Sequence, residues 1–381
     1  MRERIGILTG GGDCPGLNAV IRAVVKSATK QGWETIGFLG GYEGLLEPLQ
    51  YRTLDYKEMD ALLFVGGTIL GTSNRGRFAA KTGHGAGRRI PEEILRQAKA
   101  TFEKLGLRAL VCVGGDGSLS IAQQLFEAGV PVVGVPKTID NDLEATTMTF
   151  GFDSAVACAT DALDRLRTTA QSHERVMVLE VMGRYTGWIA VHAGISGGGD
   201  VILIPEIPFN YDSVCAKINE REREGKHFTL VVAAEGARAR GANYTTAGGA
   251  ETDREARLGG LGAVVAAEVQ RRTGKETRVC VLGHLQRGGA PTSFDRLLCT
   301  RFGARAVQLV GEGAFGCMVA YQPPDIVPVK ITEAVGHIRR VPPEGDIVAT
   351  ARALGISFGD EPAAAAAEPR NPKSEIRNKS Q

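Results

Sequence analysis

Aromatic side chains are scarce in this chain, at 6% of 381 residues. Proteins that bind single-stranded nucleic acid stack bases on such rings, so the shortage argues against that class. Charge of one sign is missing too. The 45 Lys and Arg stand against 43 Asp and Glu, a net +2. A general nucleic-acid binder needs a cationic excess, whereas near balance still allows local pockets for small anions. No apolar run approaches membrane-spanning length. The opening MRERIGILTGGG goes straight into a strand and turn, without the apolar stretch of a secretion signal. No Cys-x-x-Cys occurs among the seven cysteines, Cys14, Cys112, Cys158, Cys215, Cys280, Cys299 and Cys317. An odd number, with Cys112 and Cys280 inside apolar runs, predicts reduced core thiols and a cytoplasmic compartment. Apart from His284, the histidines show no metal-ligand spacing.

Glycine is abundant, with 50 residues, and the hydrophobic fraction is 43%. Both suit an α/β protein with many strand-to-helix turns. The first unit reads as a strand (Ile5 to Leu8), a glycine turn, a helix from Leu17 to about Gln31 and a strand (Glu34 to Phe38). A further apolar run ends at Gly66-Gly67, and a charged helical stretch covers Pro91 to Leu105. The apolar runs Ala109 to Val113 and Val132 to Val135 predict buried parallel strands. A second set begins near Phe152: a helix (Ser154 to Ala170), a strand (Val176 to Val181) and a helix after Thr186. Strands at Val201 to Ile204 and Thr229 to Ala233, a helix (Leu261 to Arg272) and a strand (Thr277 to Leu282) follow. The expected fold is α/β: two doubly wound Rossmann-like domains with the active site in the cleft between them. Ala237 to Arg257 reads as a mobile loop, and the charged, Ala- and Pro-bearing tail 361–381 as disordered.

Two segments carry the chemistry. Gly114-Gly115-Asp116-Gly117-Ser118 follows one strand, and Pro136-Lys137-Thr138-Ile139-Asp140-Asn141-Asp142 follows the next. A glycine turn after a strand lets backbone N–H groups meet phosphate oxygens. Asp116, at the carboxyl end of its strand, can hold Mg²⁺ through waters and substrate phosphates. The plainer reading is an Asx turn that caps the next helix. If residues 138–142 are locally extended, Asp140 and Asp142 project to the same side, a base beside a metal-helping acid. A phosphate cradle beside paired carboxylates is what phosphoryl transfer to a hydroxyl requires. The turn Gly10-Gly11-Gly12-Asp13-Cys14-Pro15-Gly16 is equally well read as a phosphate approach or as simple packing. It is not a Walker A loop, because no GK[ST] follows, and it fails the dinucleotide pattern at the second glycine. Arg75, Arg77, Arg175, Arg184, Arg278 and Arg287 sit in Gly-rich loops or at strand ends, where guanidinium groups can grip phosphate. Met182 and the Trp188 region read as core, and His284 as structural or as a donor to phosphate.

Taken together, GGDCPGLNAVIR, GGDGS, PKTIDND, VMGRYTG and GHLQRGG occur here in the order of the 6-phosphofructokinase family, which the chain resembles from about Ile5 to Arg296. The resemblance implies a two-domain fold and the glycolytic transfer of phosphate from ATP to the 1-hydroxyl of fructose 6-phosphate, with Mg²⁺. It implies Asp140 as general base, with Thr138 and Arg184 at the reacting groups and Asp116 as the metal-linked acid. It implies Gly12, Tyr42, Arg75, Asp116, Gly117, Ser118 and Lys137 on the donor, with Arg77 an alternative to Arg75. It implies Thr138, Asp140, Asp142, Arg175, Met182, Gly183, Arg184, Glu235, Arg278, His284 and Arg287 on the sugar phosphate. Family members supply the matches of Arg175 and Arg278 from a neighbouring subunit, so a homo-oligomer, dimer or tetramer, is implied. The implied division is 1–151 plus about 286–336 for the donor and 152–285 plus about 337–360 for the sugar phosphate. Pyrophosphate users of the family have Asp at Gly117 and Lys at Lys137, so this chain pairs the ATP-type glycine with the pyrophosphate-type lysine. Arg22, Lys26 and Arg167 match basic effector positions only in part. The alternatives are a pyrophosphate-dependent phosphotransferase and a non-catalytic sugar-phosphate-sensing subunit.

Overall fold

A computed structural model describes residues 2–73, 76–78, 89–242, 245 and 259–361. Strands and helices alternate. In chain order they are β1 (Arg4–Thr9), α1 (Leu17–Lys30), β2 (Glu34–Phe38), β3 (Tyr51–Thr53), α2 (Glu92–Lys104), β4 (Leu107–Gly114), α3 (Asp116–Glu127) and β5 (Val132–Pro136). Next come α4 (Phe152–His173), β6 (Val176–Val181), α5 (Trp188–Ser196), β7 (Val201–Leu203), α6 (Tyr211–Arg223), β8 (Thr229–Ala234), α7 (Leu261–Thr273) and β9 (Thr277–Val281). The chain ends with α8 (Ser293–Glu312), β10 (Cys317–Gln322), β11 (Asp325–Lys330), α9 (Ile331–Ala334) and α10 (Asp346–Ala353). The apolar run before Gly66 is a 3₁₀ helix, Tyr56–Phe64.

The described residues form two sheets. The larger has seven strands in the order β11-β10-β5-β4-β1-β2-β3, and the smaller has four in the order β7-β8-β6-β9. β4, β5, β6 and β8 are near-continuous apolar runs because helices cover both faces of a parallel sheet. The smaller sheet is parallel throughout. The larger is mixed: β3 and β11 pair antiparallel at its two edges. Neither edge strand was legible in the sequence. β3 is short and exposed, and β11 carries Pro328, which an edge strand tolerates because it needs no ladder N–H on its outer side.

Chain order reverses direction at β1 in the larger sheet and at β6 in the smaller. Those switch points open crevices at the carboxyl ends of the strands. Gly10–Gly12 follows β1, Gly114–Ser118 follows β4, and Met182–Arg184 follows β6. All seven cysteines are free; Cys112 is buried, and Cys280, on the edge strand β9, packs partly buried against the core. No helix among the described residues is long and apolar enough to cross a membrane. Of the expected mobile loop, 243, 244 and 246–257 lie outside the described residues, as do 362–381 of the tail.

Candidate active site

The two glycine turns of the larger sheet are fastened to each other. Gly10 N–H donates to Val113 O at 2.8 Å, and Lys137 N–H donates to Gly114 O at 2.9 Å. Tyr42 is buried, and its phenol donates to Ser118 O at 2.6 Å, which fixes the first turn of α3. Burial raises the Tyr42 pKa well above the usual phenol value. Lys137 is 4% exposed, and its Nζ donates to Gly12 O. Desolvation lowers the Lys137 pKa, an effect partly offset by nearby acids. Arg287 Nη1 donates to Asp13 O at 3.1 Å, and a side chain at Gly12 would start 3.0 Å from that guanidinium. The region around Gly12 is thus glycine-lined and flanked by two cations. Gly117, in the first turn of α3, faces open space, with nothing within 4 Å of where a side chain would begin.

The reactive segment is a turn, not an extended piece. Asn141 takes a left-handed φ of 51°. Its amide oxygen accepts from Thr149 N–H at 3.0 Å and Thr149 Oγ1 at 3.3 Å, and its own N–H₂ reaches Thr147 O at 3.5 Å. The condition of local extension for Asp140 and Asp142 is therefore not met; the segment is a turn built around a buried Asn. The two acids still lie close. Burial first, then the Asp140 charge, raises the Asp142 pKa; Asp116 pushes the same way more weakly, and a Thr138 hydrogen bond opposes it. Asp140 N–H donates to Thr138 Oγ1 at 3.1 Å, and Thr186 Oγ1 donates to Asp140 O at 3.3 Å. That last bond joins the turn to the smaller sheet.

From the smaller sheet come Met182, Gly183, Arg184 and Glu235, at the carboxyl ends of β6 and β8. Met182 N–H donates to the buried Gln286 Oε1 at 2.7 Å, and Glu235 N–H to Val181 O at 2.9 Å. Met182 packs partly buried against the core, as expected. The Glu235 carboxyl is pushed up to about 7, by burial first and then by the Asp140 charge, with Arg184 and Arg287 opposing. His284 is exposed beyond β9. Asp116 Oδ1 accepts from Gly336 N–H at 2.7 Å. Among the described residues no group of three or more His, Cys, Asp or Glu forms a metal cage. Asp116, with Asp142 near enough to feel its charge, offers hard oxygen donors that suit a Mg²⁺ already carried on phosphates.

Three expectations fall elsewhere. Arg75 lies outside the described residues, and Arg77 is exposed, with Nε on Glu43 Oε2 at 3.1 Å. Arg175 and Arg278 stand at the amino ends of β6 and β9, a strand's length from the motifs at the carboxyl ends. Both clasp Glu276; the Arg175 Nη2 contact is 2.9 Å. Two of the effector-like cations have structural contacts: Lys26 pairs with Asp60 at 2.5 Å, and Arg167 Nη2 donates to Gly198 O at 2.9 Å.

Sequence reasoning missed Asn141 as a turn residue and Gln286 as a clamp, although both lie inside motifs it quoted. It also missed Arg339, which no motif marks.

A family model described as Phosphofructokinase matches residues 4–310. The chain belongs to the phosphofructokinase family. It is 55% identical to the ATP-dependent 6-phosphofructokinase of Chloroflexus aurantiacus, over 94% of this chain and 99% of that relative. It is 49% identical to the pyrophosphate--fructose 6-phosphate 1-phosphotransferase of Amycolatopsis methanolica, over 90% of this chain and 97% of that relative. Among solved structures, the phosphofructokinase of Pichia pastoris in the T-state superposes with a TM-score of 0.76 at 30% identity, covering 94% of this chain and 37% of that one. Members of the family with either donor thus share the architecture, and the donor has to be argued from the site.

Proposed function

We propose that this chain transfers the terminal phosphoryl group of ATP to the 1-hydroxyl of fructose 6-phosphate. The observation that carries the reading is the placement of the 138–142 turn. It hangs from the larger sheet beside the glycine turns, and Thr186 ties it to the smaller sheet's Met182–Arg184 turn. Asp140 takes the proton from the sugar oxygen as that oxygen attacks the phosphorus. Thr138 and Arg184 steady the transferring group, and Asp142 and Glu235 hold sugar hydroxyls. Gly12, Tyr42, Gly117 and Ser118 shape the donor site, and Lys137 supports Gly12 from beneath. Asp116 would hold Mg²⁺, which when bound neutralises phosphate charge. Met182, Gly183, His284 and Arg287 complete the sugar-phosphate side.

ATP is favoured over pyrophosphate because Gly117 opens onto free space, where an acid would crowd and repel an α-phosphate. The relative at 55% identity also carries the ATP-dependent name. Arg175 and Arg278 cannot reach the site of their own subunit, so the reading assigns them to a neighbour's site in a homo-oligomer. The donor half comprises 1–151 plus about 286–336, and the sugar half 152–285 plus about 337–360. The compartment is the cytoplasm.

Replacing Asp140 by Ser tests the base directly. Turnover falls about 10²–10⁴-fold, with thermal stability nearly unchanged. A variant with full turnover would remove Asp140 from the chemistry.

A further inference from the structure

One short stretch, Gly336 to Val341, touches Asp116, the loop that follows Asp140 and the segment that follows the Met182–Arg184 turn. It follows α9 at the edge of the larger sheet. Gly336 N–H donates to Asp116 Oδ1 at 2.7 Å. Arg339 N–H donates to Asp142 O at 2.9 Å. The Arg339 guanidinium donates from Nε to Asn141 O at 3.2 Å, and from Nη1 to Thr146 O at 2.9 Å and Thr147 O at 2.8 Å. On the other side, Trp188 Nε1–H donates to Arg339 O at 2.8 Å, and the guanidinium lies 4.9 Å from the centre of that indole. Arg340 Nη1 donates to Tyr185 O at 3.2 Å. Val341 N–H and Gly187 N–H share Glu206 Oε1, at 2.9 and 3.1 Å.

These bonds answer a specific need. A left-handed Asn141 takes its carbonyl, and that of Asp142, out of any helix or strand ladder, yet buried carbonyls must be satisfied. One planar guanidinium and its own backbone N–H satisfy both, and also bind the far arm of the loop at Thr146 and Thr147. A guanidinium suits this because its donors point in fixed directions. The Asp140 side chain stands on the residue between Ile139 and Asn141, so the backbone that Arg339 fastens is the backbone that aims it.

We propose that Arg339 is a positioning residue for phosphoryl transfer: it fastens the Asn141–Asp142 backbone so that Asp140 is aimed, while Gly336 and Trp188 keep the donor turn and the sugar turn in register with it. This rests on the reading of Asp140 as the base. The Arg339 side chain bonds only backbone carbonyls, and its own N–H meets the carbonyl of Asp142 and not the carboxyl assigned to the sugar. Losing it therefore costs turnover and not affinity, since a misplacement near 1 Å can cost about 10²-fold in rate.

The test uses the full chain with Arg339→Ala and Arg339→Lys, measuring kcat, KM for sugar phosphate and donor, and melting temperature. Arg339→Ala lowers kcat about 10²-fold while both KM values stay within about threefold, and added methylguanidinium restores part of the loss. Arg339→Lys falls between, because one ammonium reaches Thr146 O and Thr147 O but not Asn141 O as well. An Arg339→Ala enzyme with unchanged kcat overturns the proposal. So does a loss shared equally by kcat, both KM values and the melting temperature, with no rescue, for that is a plain structural staple. If the Ala variant does not fold, the Lys variant decides by the same criteria. Asp140→Asn, assayed alongside, separates the two claims: full turnover there removes the base reading, while the Arg339 result still reports whether this stretch sets kcat.

Discussion

Single residues show how burial sets the chemistry. Glu235 is largely buried beside Asp140, and its carboxyl is pushed up to about 7 against an ordinary 4.5. The folded chain therefore holds a proton that the unfolded chain has released. This stabilisation is fully present below the unfolded value and is lost as pH rises through about 7. Glu235→Gln should be more stable than the parent at pH 8, by at most about 3 kcal/mol, and the gap should close towards pH 5. Chemical denaturation at the two pH values checks this; a gap that widens at low pH contradicts it. If ionised Glu235 accepts from a sugar hydroxyl, KM for fructose 6-phosphate should rise as pH falls below 7, and Glu235→Gln should flatten that limb. Gly117→Asp makes a separate check on the donor. Nothing lies within 4 Å of where the new side chain would begin, so the variant should fold, yet its kcat/KM for ATP should drop by about tenfold or more as the acid repels phosphate. Unchanged ATP kinetics would show that the space at Gly117 is not used by the nucleotide.

At the level of elements, the active turn depends on a backbone conformation as well as on its acids. Asn141 sits at φ 51° with its amide bonded to Thr149. Asn141→Ala should lose about 2–4 kcal/mol: roughly 1 for the left-handed backbone and the rest for the lost hydrogen bonds. Asn141→Gly should recover about 1 of these while remaining poor in turnover. Equal stability of the two variants, measured in urea, would show that handedness is not what the position requires. This device explains what was legible beforehand. The strands and turns around Gly10, Gly114 and Pro136 could be read because their apolar runs and glycines are local in sequence. The placement of Asp140 could not, because it hangs on Arg339, about two hundred residues away. Whether the segment is extended or turned is not readable from it, because spacing alone carries no handedness. β3 and β11 escaped notice because a short exposed strand and one holding a proline leave little apolar pattern. Gln286 lies in a motif that was noticed, but its role needs Met182 N–H in view.

At the scale of the whole molecule, the smaller sheet ends on β9, whose edge is apolar and open. Val279 and Val281 are 40% and 53% exposed there, and Leu285 beyond them is 68% exposed. An apolar sheet edge of this kind invites a partner chain. It also carries Arg278, held with Arg175 on Glu276 and far from its own subunit's site. If these arginines serve a neighbour, an Asp140→Ser subunit and an Arg278→Ala subunit should each be nearly inactive alone. Dissociated, mixed and reassociated, they should regain activity, because some sites then carry neither lesion. A mixture no more active than its parts would place each site within one subunit. The account as a whole turns on what the site phosphorylates and from which donor. The most direct measurement is the initial rate of fructose 1,6-bisphosphate formation from fructose 6-phosphate, with ATP and with pyrophosphate at matched Mg²⁺. The account predicts rapid turnover with ATP and little with pyrophosphate. Faster turnover with pyrophosphate, or sugar-phosphate binding with no turnover from either donor, would contradict it.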